Sequence, residues 1–311
     1  MAITAAMVKE LREMSGAGMM DCKKALTETD GDMDKAIEYL RKNGLAKAAK
    51  KAGRIAAEGM VAVNISADNK VASIVEVNSE TDFVAKNDVF RTFVEEVAAQ
   101  AATTSATDVE TLLTEEWKAE AGMTVSEKLA AMIAKIGENM NIRRFLKVTA
   151  EDGIIVSYIH AGGKIGVLVK ARTDSNSDGV KECLKNVAMQ VAAMSPKYVS
   201  TDEVSEDYKK QEMEVLIANA KNDPKNANKP ENILEKIVAG QLNKELKEVC
   251  LLEQEYVKAE NKETVAKYVE SVAKAEGCDL VVTEFIRFET GEGLEKKNED
   301  FAAEVAAQMG N

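Results

Sequence analysis

The feature that most constrains the fold is an internal repeat that needs no gap. When the sequence is shifted by 94 positions, residues 59–77 lie over residues 153–171. The identical pairs are Gly59/Gly153, Ile65/Ile159, Ala67/Ala161, Lys70/Lys164 and Val75/Val169. Conservative pairs such as Val71/Ile165 lie between them. The repeat predicts two halves of similar structure.

Each copy has the pattern of two strands joined by a tight turn, followed by a loop and a helix. The turns are residues 67–69 and 161–163. At the same shift the helices keep an apolar face in register, with pairs Phe90/Leu184, Phe93/Val187, Val94/Ala188, Val97/Val191 and Ala98/Ala192. We therefore predict an α+β fold with two similar core halves, each packing a helix on a small antiparallel sheet.

The loop between the second strand and the helix of the first copy contains an aromatic residue beside an acid. The segment is Thr81-Asp82-Phe83-Val84. Loop tips usually carry small polar residues, so a Phe there indicates a wedge that contacts a partner. The alternative is a Phe that packs under its own helix as a staple.

The second copy provides a comparison for this loop. At the shifted position it reads Ser175-Asn176-Ser177-Asp178, an ordinary polar loop. The same fold therefore closes without a Phe here, which favours the wedge. The second copy also contains His160, the only histidine of the chain, at a hairpin end where the first copy has Ser66. A lone histidine is usually structural or merely exposed, but this position leaves a contact role open.

Two further segments flank or interrupt the halves. Residues 4–44 show the apolar spacing of three short helices, with a stop at Gly44 and a linker over 45–58. Between residues 197 and 260 the pattern predicts an inserted antiparallel helical hairpin with helices Asp202–Asn219 and Glu231–Lys247. This insert is expected either to self-associate or to pack on itself.

The remaining elements complete the domain plan. The pattern predicts a helix over 263–275, a strand over 280–288 and a final amphipathic helix, Phe301 to Met309. We divide the chain into residues 1–57 (three-helix module and linker), 58–151 (first half), 152–290 (second half with the insert) and 291–311 (C-terminal helical module).

Composition excludes several classes of function. The 311 residues have a net charge of −12, which argues against direct nucleic-acid binding. The basic cluster Lys47, Lys50, Lys51 and Arg54 has the composition of a solvated helix or a linker. Four scattered cysteines and one histidine do not suit a zinc site and fit a reducing cytoplasm. No membrane-spanning segment or export signal is predicted.

The motifs of catalysis are also absent from the sequence. Gly162-Gly163-Lys164-Ile165-Gly166 lacks the spacing and the hydroxyl residue of a phosphate loop, and a hairpin turn explains its glycines. Gly291-Glu292-Gly293 lacks the third glycine of a dinucleotide-binding motif. With one histidine and no nucleophile motif, the sequence does not indicate an enzyme or a cofactor.

Several long motifs, in order along the chain, resemble those of the bacterial elongation factor Ts family. Leu11 to Leu26 is similar to the N-terminal signature of that family, and Glu76 to Lys86 to its second signature. Residues 136–139 with 142–144 are similar to a third stretch of the family, and residues 285–293 followed by 300–306 are similar to its C-terminal end. Ser15 departs from the usual Thr, but both residues can cap a turn.

This resemblance implies a guanine-nucleotide exchange factor that binds elongation factor Tu, with a ubiquitin-associated-like N-terminal module and a C-terminal helix that touches the GTPase. It implies that Thr81, Asp82, Phe83 and Val84 enter the partner and dislodge its Mg²⁺. By the same resemblance Arg12, Met19, Met20 and His160 are partner contacts, and the insert is a dimerisation element. Two alternatives remain: a peptide- or ubiquitin-binding adaptor that uses residues 4–44, and a structural oligomer built on the helical insert.

Overall fold

The chain begins with three helices that form a small module of their own. The structure is a computed structural model that describes residues 2–222 and 229–295. The helices are α1 (Ala5–Ser15), α2 (Met19–Glu28) and α3 (Met33–Lys51). Thr4 and Asp32 cap the N-termini of α1 and α3 by accepting hydrogen bonds from backbone N–H groups. Buried side chains from all three helices meet in one cluster: Val8, Leu11, Cys22, Ala25, Leu26 and Ala36.

The predicted stop at Gly44 is wrong, because α3 continues through it to Lys51. Gly44 is buried, and a Cβ atom there would lie 3.8 Å from the backbone oxygen of Ala130. A glycine inside a helix costs about 1 kcal/mol relative to alanine. Close packing against the core offsets that cost, so the segment predicted as a linker is largely a helix that attaches the module.

The two halves of the core have the same topology. The first contains β1 (Glu58–Ile65), β2 (Val71–Ser79), α4 (Asp82–Ala85), α5 (Asp88–Thr103), α6 (Val109–Thr114), α7 (Val125–Ile136) and β3 (Met140–Thr149). The second contains β4 (Gly153–His160), β5 (Ile165–Thr173), α8 (Asp178–Met194), α9 (Glu206–Asn222), α10 (Glu231–Val249), α11 (Val265–Glu276) and β6 (Leu280–Glu289). Their antiparallel sheets have the orders β1-β2-β3 and β4-β5-β6. The predicted α+β class with two similar halves is therefore confirmed.

The sheets also share an irregularity. A register shift occurs between Glu76 and Val77 in the pairing of β2 with β3. The corresponding shift in the pairing of β5 with β6 lies between Lys170 and Ala171, 94 residues later. Bulges of this kind increase local twist, so both sheets bend at the same place.

The core consists of four layers, in the order helix, sheet, sheet, helix. The outer face of the first sheet packs on α5, and that of the second packs on α8. The inner faces pack on each other through Val61, Ala72, Ile74, Val148, Ala150, Ile155, Leu168 and Phe288. The sequence predicted the helix-on-sheet halves but not the direct stacking of the two sheets.

Reciprocal hydrogen bonds join the halves. The Val61 N–H donates to the Gly163 carbonyl at 2.7 Å, and the Ile155 N–H donates to the Asn69 carbonyl at 2.8 Å. The two donors, Val61 and Ile155, are 94 residues apart, and so are the two acceptors, Asn69 and Gly163. The turn of each half is therefore held by the first strand of the other half, as an approximate twofold axis requires.

The helices α5 and α8 correspond at a shift of 90 residues rather than 94. Asn87 and Ser177 are their N-caps, and the buried Gln100 and Gln190 near their C-termini make the same kind of contact. The side-chain amide of Gln100 donates to the backbone carbonyl of Glu116, and that of Gln190 donates to the backbone carbonyl of Glu255. The residue pairs predicted between α5 and α8 at a shift of 94 are therefore wrong by four residues, about one helical turn. Because one turn returns to the same side of a helix, the apolar faces still coincided at the wrong shift.

The inserted hairpin is confirmed as α9 and α10. Its base is closed by hydrogen bonds from Lys197 N to Val249 O at 2.8 Å and from Leu251 N to Tyr198 O at 2.9 Å. The hairpin packs on itself around Ala220, Leu234 and Val238. The predicted helix Phe301–Met309, and most of the module predicted over 291–311, lie outside the described residues.

Candidate partner-binding site

The loop that carries Phe83 is a single helical turn, α4, inserted between β2 and α5. Eight residues, 80–87, separate these elements, whereas four, 174–177, separate β5 from α8. Within the turn, Val84 and Ala85 are buried against the first core cluster. Phe83 is 81% exposed. The staple alternative is therefore wrong, since Val84 and Ala85 anchor the turn and Phe83 points into solvent.

Two hydrogen bonds from Thr81 fix this turn to the core. Glu138, which follows α7, accepts from the Thr81 backbone nitrogen at 3.0 Å and from its Oγ1 at 2.7 Å. Thr81 also caps α4 by accepting from the Val84 N–H. Next to it, Glu80 accepts from the Asn139 N–H at 2.6 Å. The exposed Phe83 is thus carried by a restrained backbone.

Asp82 is a negatively charged neighbour of Phe83. The hydrogen bond from Lys86 Nζ, 2.7 Å from Asp82 Oδ2, and the positive charges of Lys86 and Lys164 hold the pKa of Asp82 below its usual value. Lys164 belongs to the β4–β5 hairpin of the second half. Lys164 Nζ donates to a carboxylate oxygen of Glu58, and Glu58 pairs with Ser79 at the end of β2. The tip of that hairpin therefore lies near the start of the Phe83 loop.

His160 is exposed at the end of β4, as the sequence predicted, and lies in the same hairpin. Its Nδ1 is 2.9 Å from the hydroxyl oxygen of Tyr158. A Cβ atom on Gly162 would be 3.9 Å from Arg91 of α5, so the hairpin tip also lies near the helix that follows the Phe83 loop. His160 thus lies at the end of a strand whose hairpin tip approaches α5 and the start of the Phe83 loop.

Arg12, Met19 and Met20 lie on the three-helix module, Arg12 on α1 and the two methionines at the start of α2. All three are exposed, with Met19 55% and Met20 76% accessible. Met14 adds a further exposed methionine, 54% accessible, which the sequence analysis did not select. Unbranched methionine side chains adapt to irregular apolar surfaces, so these exposed methionines are suited to a protein contact.

A buried carboxylate links β2 to the end of the second half. Glu76 is fully buried and accepts hydrogen bonds from Gly291 N at 2.7 Å, Asn78 Nδ2 at 3.0 Å, Arg143 Nη1 at 3.0 Å and Arg144 Nε at 2.6 Å. Burial alone would raise the pKa of Glu76. These four donors and the arginine charges outweigh burial and hold the pKa below its ordinary value.

Other kinds of site have little support in the part of the chain that the structure describes. Residues 2–222 and 229–295 contain no group of three or more His, Cys, Asp or Glu side chains placed to hold a metal ion. No helix in these ranges combines the length and apolar character needed to span a bilayer.

A cleft of about 300 Å³ lies between α3, the α1–α2 turn and α7, lined in part by Met14, Leu40 and Met132.

Sequence reasoning missed two residues that support the site. Glu138 stands 57 positions from Thr81, and Tyr158 has an ordinary strand position. The one available signal for Tyr158 was its spacing from His160, because residues i and i+2 share a face of a strand. Nothing local identifies Glu138 as the partner of Thr81.

The sequence matches known proteins over nearly its whole length. The family model described as "Elongation factor TS" matches residues 80–292, which include the Phe83 loop, the β4–β5 hairpin and the helical insert. The elongation factor Ts of Clostridioides difficile is 56% identical over 307 residues, covering 99% of each chain. That of Clostridium novyi is 52% identical over 307 residues, again 99% of each. That of Trichlorobacter lovleyi is 51% identical over 314 residues, covering 100% of this chain and 99% of the relative. The chain belongs to the elongation factor Ts family.

Proposed function

We propose that this chain is the guanine-nucleotide exchange factor for elongation factor Tu in translation elongation. It acts by binding and forms no covalent bond, so it needs no nucleophile and no cofactor. The observation that carries the proposal is the exposed Phe83, 81% accessible on a turn fixed by Thr81 and Glu138. Leaving a phenyl ring in water is unfavourable unless a partner buries it.

The thermodynamic task of an exchange factor is to bind the nucleotide-free partner more tightly than the GDP-bound one. By linkage, the factor by which it weakens GDP binding equals the factor by which GDP weakens its own binding. Mg²⁺ is the largest local charge that holds nucleotide phosphates to a GTPase. A wedge that disturbs the Mg²⁺ ligands therefore lowers GDP affinity more than any single surface contact.

Within this proposal the loop residues have different tasks. Phe83 enters between two elements of elongation factor Tu and gains apolar burial. Asp82 perturbs the hydrogen bonds around the Mg²⁺ site and dislodges the ion. Thr81 and Val84 hold the backbone that presents them, since Thr81 caps the turn and Val84 is packed into the core.

The remaining contacts enlarge the interface beyond the loop. His160 contacts the partner near the loop, because Lys164 of the same β4–β5 hairpin bonds to Glu58, which pairs with Ser79 at the start of the Phe83 loop. Arg12, Met19 and Met20 form the contact of the N-terminal module with the GTPase domain. Anchors at separate points would orient the partner relative to the wedge.

The test is the release of fluorescent GDP from elongation factor Tu. The full chain should accelerate release, and Phe83→Ala should reduce this about ten- to a hundredfold, because burying a Phe side chain contributes about 1.5–3 kcal/mol. Val257→Ala is a matched control, since Val257 is also exposed but lies in the second half near the insert. An unchanged rate for folded Phe83→Ala would overturn the role of the wedge. No acceleration by the natural chain would favour the adaptor alternative.

A homodimer through the helical insert is a second part of the proposal. The supporting observation is that Val215 and Ile233 on α9 and α10 are 51% and 39% exposed. Light scattering with Val215→Glu tests it, because a charge at an apolar contact should shift a dimer to monomers. An identical mass for the natural and substituted chains would contradict the dimer at that position.

A further inference from the structure

We propose that Tyr158 is a positioning residue that fixes His160 in one tautomer, with Nε2–H directed outward as a hydrogen-bond donor. The group on the partner is then an acceptor, a carbonyl or carboxylate oxygen. This inference rests on the proposed function, because it specifies how His160 contacts elongation factor Tu.

The first support is the geometry of the pair. The Tyr158 hydroxyl oxygen lies 2.9 Å from His160 Nδ1. The ring centroids are 5.9 Å apart and the planes are tilted by 40°. Both side chains project from the same face of β4, because the residues are two positions apart on one strand. The contact therefore involves one specific ring nitrogen.

The second support is the difference in burial between the two residues. Tyr158 is half-buried and packs against the apolar cluster of the second half, which includes Val167 and Val169. His160 is exposed at the end of the strand. The tyrosine thus has a fixed position from which its hydroxyl restrains a side chain that would otherwise rotate freely.

The backbone that carries His160 is fixed as well. The His160 carbonyl accepts hydrogen bonds from Gly163 N and Lys164 N, both at 3.1 Å. The Gly163 carbonyl in turn accepts from Val61 N at 2.7 Å and from Thr290 Oγ1 at 3.0 Å. A Cβ atom at Gly163 would lie 2.9 Å from that of Met60, so this approach requires glycine. Two segments outside the hairpin, β1 and the residue after β6, thus hold the turn.

The first half shows that the turn itself does not need this pair. The positions equivalent to Tyr158 and His160 are Asn64 and Ser66. The Ser66 hydroxyl oxygen accepts from Lys70 N at 3.2 Å and from Val71 N at 2.9 Å, so it stabilises its own turn. The His160 side chain instead bonds to Tyr158. The Tyr–His pair is therefore an addition to the shared architecture.

The hydrogen bond determines the chemistry that His160 presents. A phenol hydroxyl is a good donor, and an unprotonated imidazole nitrogen is a better acceptor than the phenol oxygen. The Tyr158 O–H therefore donates to Nδ1, so an imidazole with a single N–H carries it on Nε2. A fixed donor recognises an acceptor and loses less conformational freedom on binding than a rotating side chain.

Two-bond ¹H–¹⁵N NMR spectra test the tautomer directly. Because the chain has a single histidine, one imidazole spin system appears and needs no assignment among others. The natural chain should show Nδ1 as an unprotonated acceptor and Nε2 as protonated. Tyr158→Phe keeps the packed ring and removes the hydroxyl, so the two nitrogen shifts should move toward each other. Unchanged shifts would overturn the proposal.

A double-mutant cycle tests the consequence for exchange. Tyr158→Phe should slow GDP release by elongation factor Tu about two- to tenfold, the effect of one hydrogen bond. In the His160→Ala background the same change should have no further effect. Equal losses in both backgrounds would show a merely structural role and would refute the positioning role. Tyr198→Phe, a half-buried tyrosine in the cluster at the base of the insert, is the matched control.

These experiments separate the inference from the proposed function. If the natural chain fails to accelerate GDP release, the proposed function fails, and the donor role toward elongation factor Tu fails with it. The imidazole spectrum still decides whether Tyr158 fixes the tautomer. If the natural chain is active but the cycle shows no coupling, only the inference about Tyr158 is refuted.

Discussion

The carboxylate of Glu138 receives two hydrogen bonds from Thr81, one from the backbone and one from the hydroxyl. Thr81 begins the turn that carries Phe83, and Glu138 directly follows the glycine at the C-terminus of α7. The orientation of Phe83 therefore depends on a residue that sits in another part of the first half.

We predict that Glu138→Ala lowers the rate of stimulated GDP release about five- to a hundredfold, since each of the two hydrogen bonds contributes about 0.5–1.5 kcal/mol to holding the turn. Glu138→Gln keeps one acceptor and should give an intermediate rate. Fluorescent GDP release measures both, and Glu120→Ala on the exposed pair with Lys128 is the control. Equal rates for Glu138→Ala and the natural chain would contradict the role of this anchor.

Substitutions of Phe83 and Val84 should differ in their effect on the free energy of unfolding, because Phe83 is exposed and Val84 is buried. Phe83→Ala should leave the free energy of unfolding nearly unchanged, because the ring is 81% exposed. Val84→Ala removes two buried carbons and should lower that free energy by about 1–2 kcal/mol. Urea denaturation gives both values. A large stability loss for Phe83→Ala would show that the ring packs on its own chain.

Glu76 should make stability depend on pH. Its folded pKa lies below the usual value of a Glu side chain, so the contribution of Glu76 to the free energy of unfolding is fully present above that usual value. It is lost as the pH falls through the folded pKa. At pH 7, Glu76→Gln should cost on the order of 3 kcal/mol, because Arg143 and Arg144 lose their charged partner.

The measurement is urea denaturation of both proteins at pH 7 and below pH 4. The difference in free energy of unfolding between natural chain and Glu76→Gln should narrow at the lower pH, where the natural carboxylate becomes protonated. Glu110→Gln, an exposed residue of α6, serves as the control. A difference that is equal at both pH values would refute this account.

The helical insert should be removable. Its two helices pack on each other. The chain enters the insert and returns to the second half at neighbouring points, because Tyr198 and Cys250 form a β-bridge at its base. Replacing residues 206–248 by a short Gly/Ser linker should leave the rate of GDP release within about twofold, since loop changes of this kind cost little. The same sample reports the oligomeric state by light scattering. Loss of exchange would favour the structural-oligomer alternative.

The sequence predicted the features that repeat locally. Apolar periodicity and the shift of 94 residues identified the two halves, and the Asp82–Phe83 pair identified an exposed loop. These signals are local, because alternation and helical spacing follow from the geometry of one element.

The features that were missed or wrong depend on distant contacts. Glycine propensity predicted a helix end at Gly44, but packing of α3 on α7 prevailed over about 1 kcal/mol of propensity. The link between Thr81 and Glu138 spans 57 positions and has no local signature. The one-turn error in aligning α5 with α8 arose because helical periodicity repeats after about four residues.

The reciprocal bonds from Val61 to Gly163 and from Ile155 to Asn69 give the core the character of a symmetric dimer whose subunits have been joined into one chain. In a homodimer every substitution appears in both subunits, so a residue that contacts a partner protein is present on both subunits. A single chain has no such constraint. The first half carries a helical turn with Phe83, and the second half carries His160 at the end of its β-hairpin. Two halves of the same topology thus present surfaces of different chemistry.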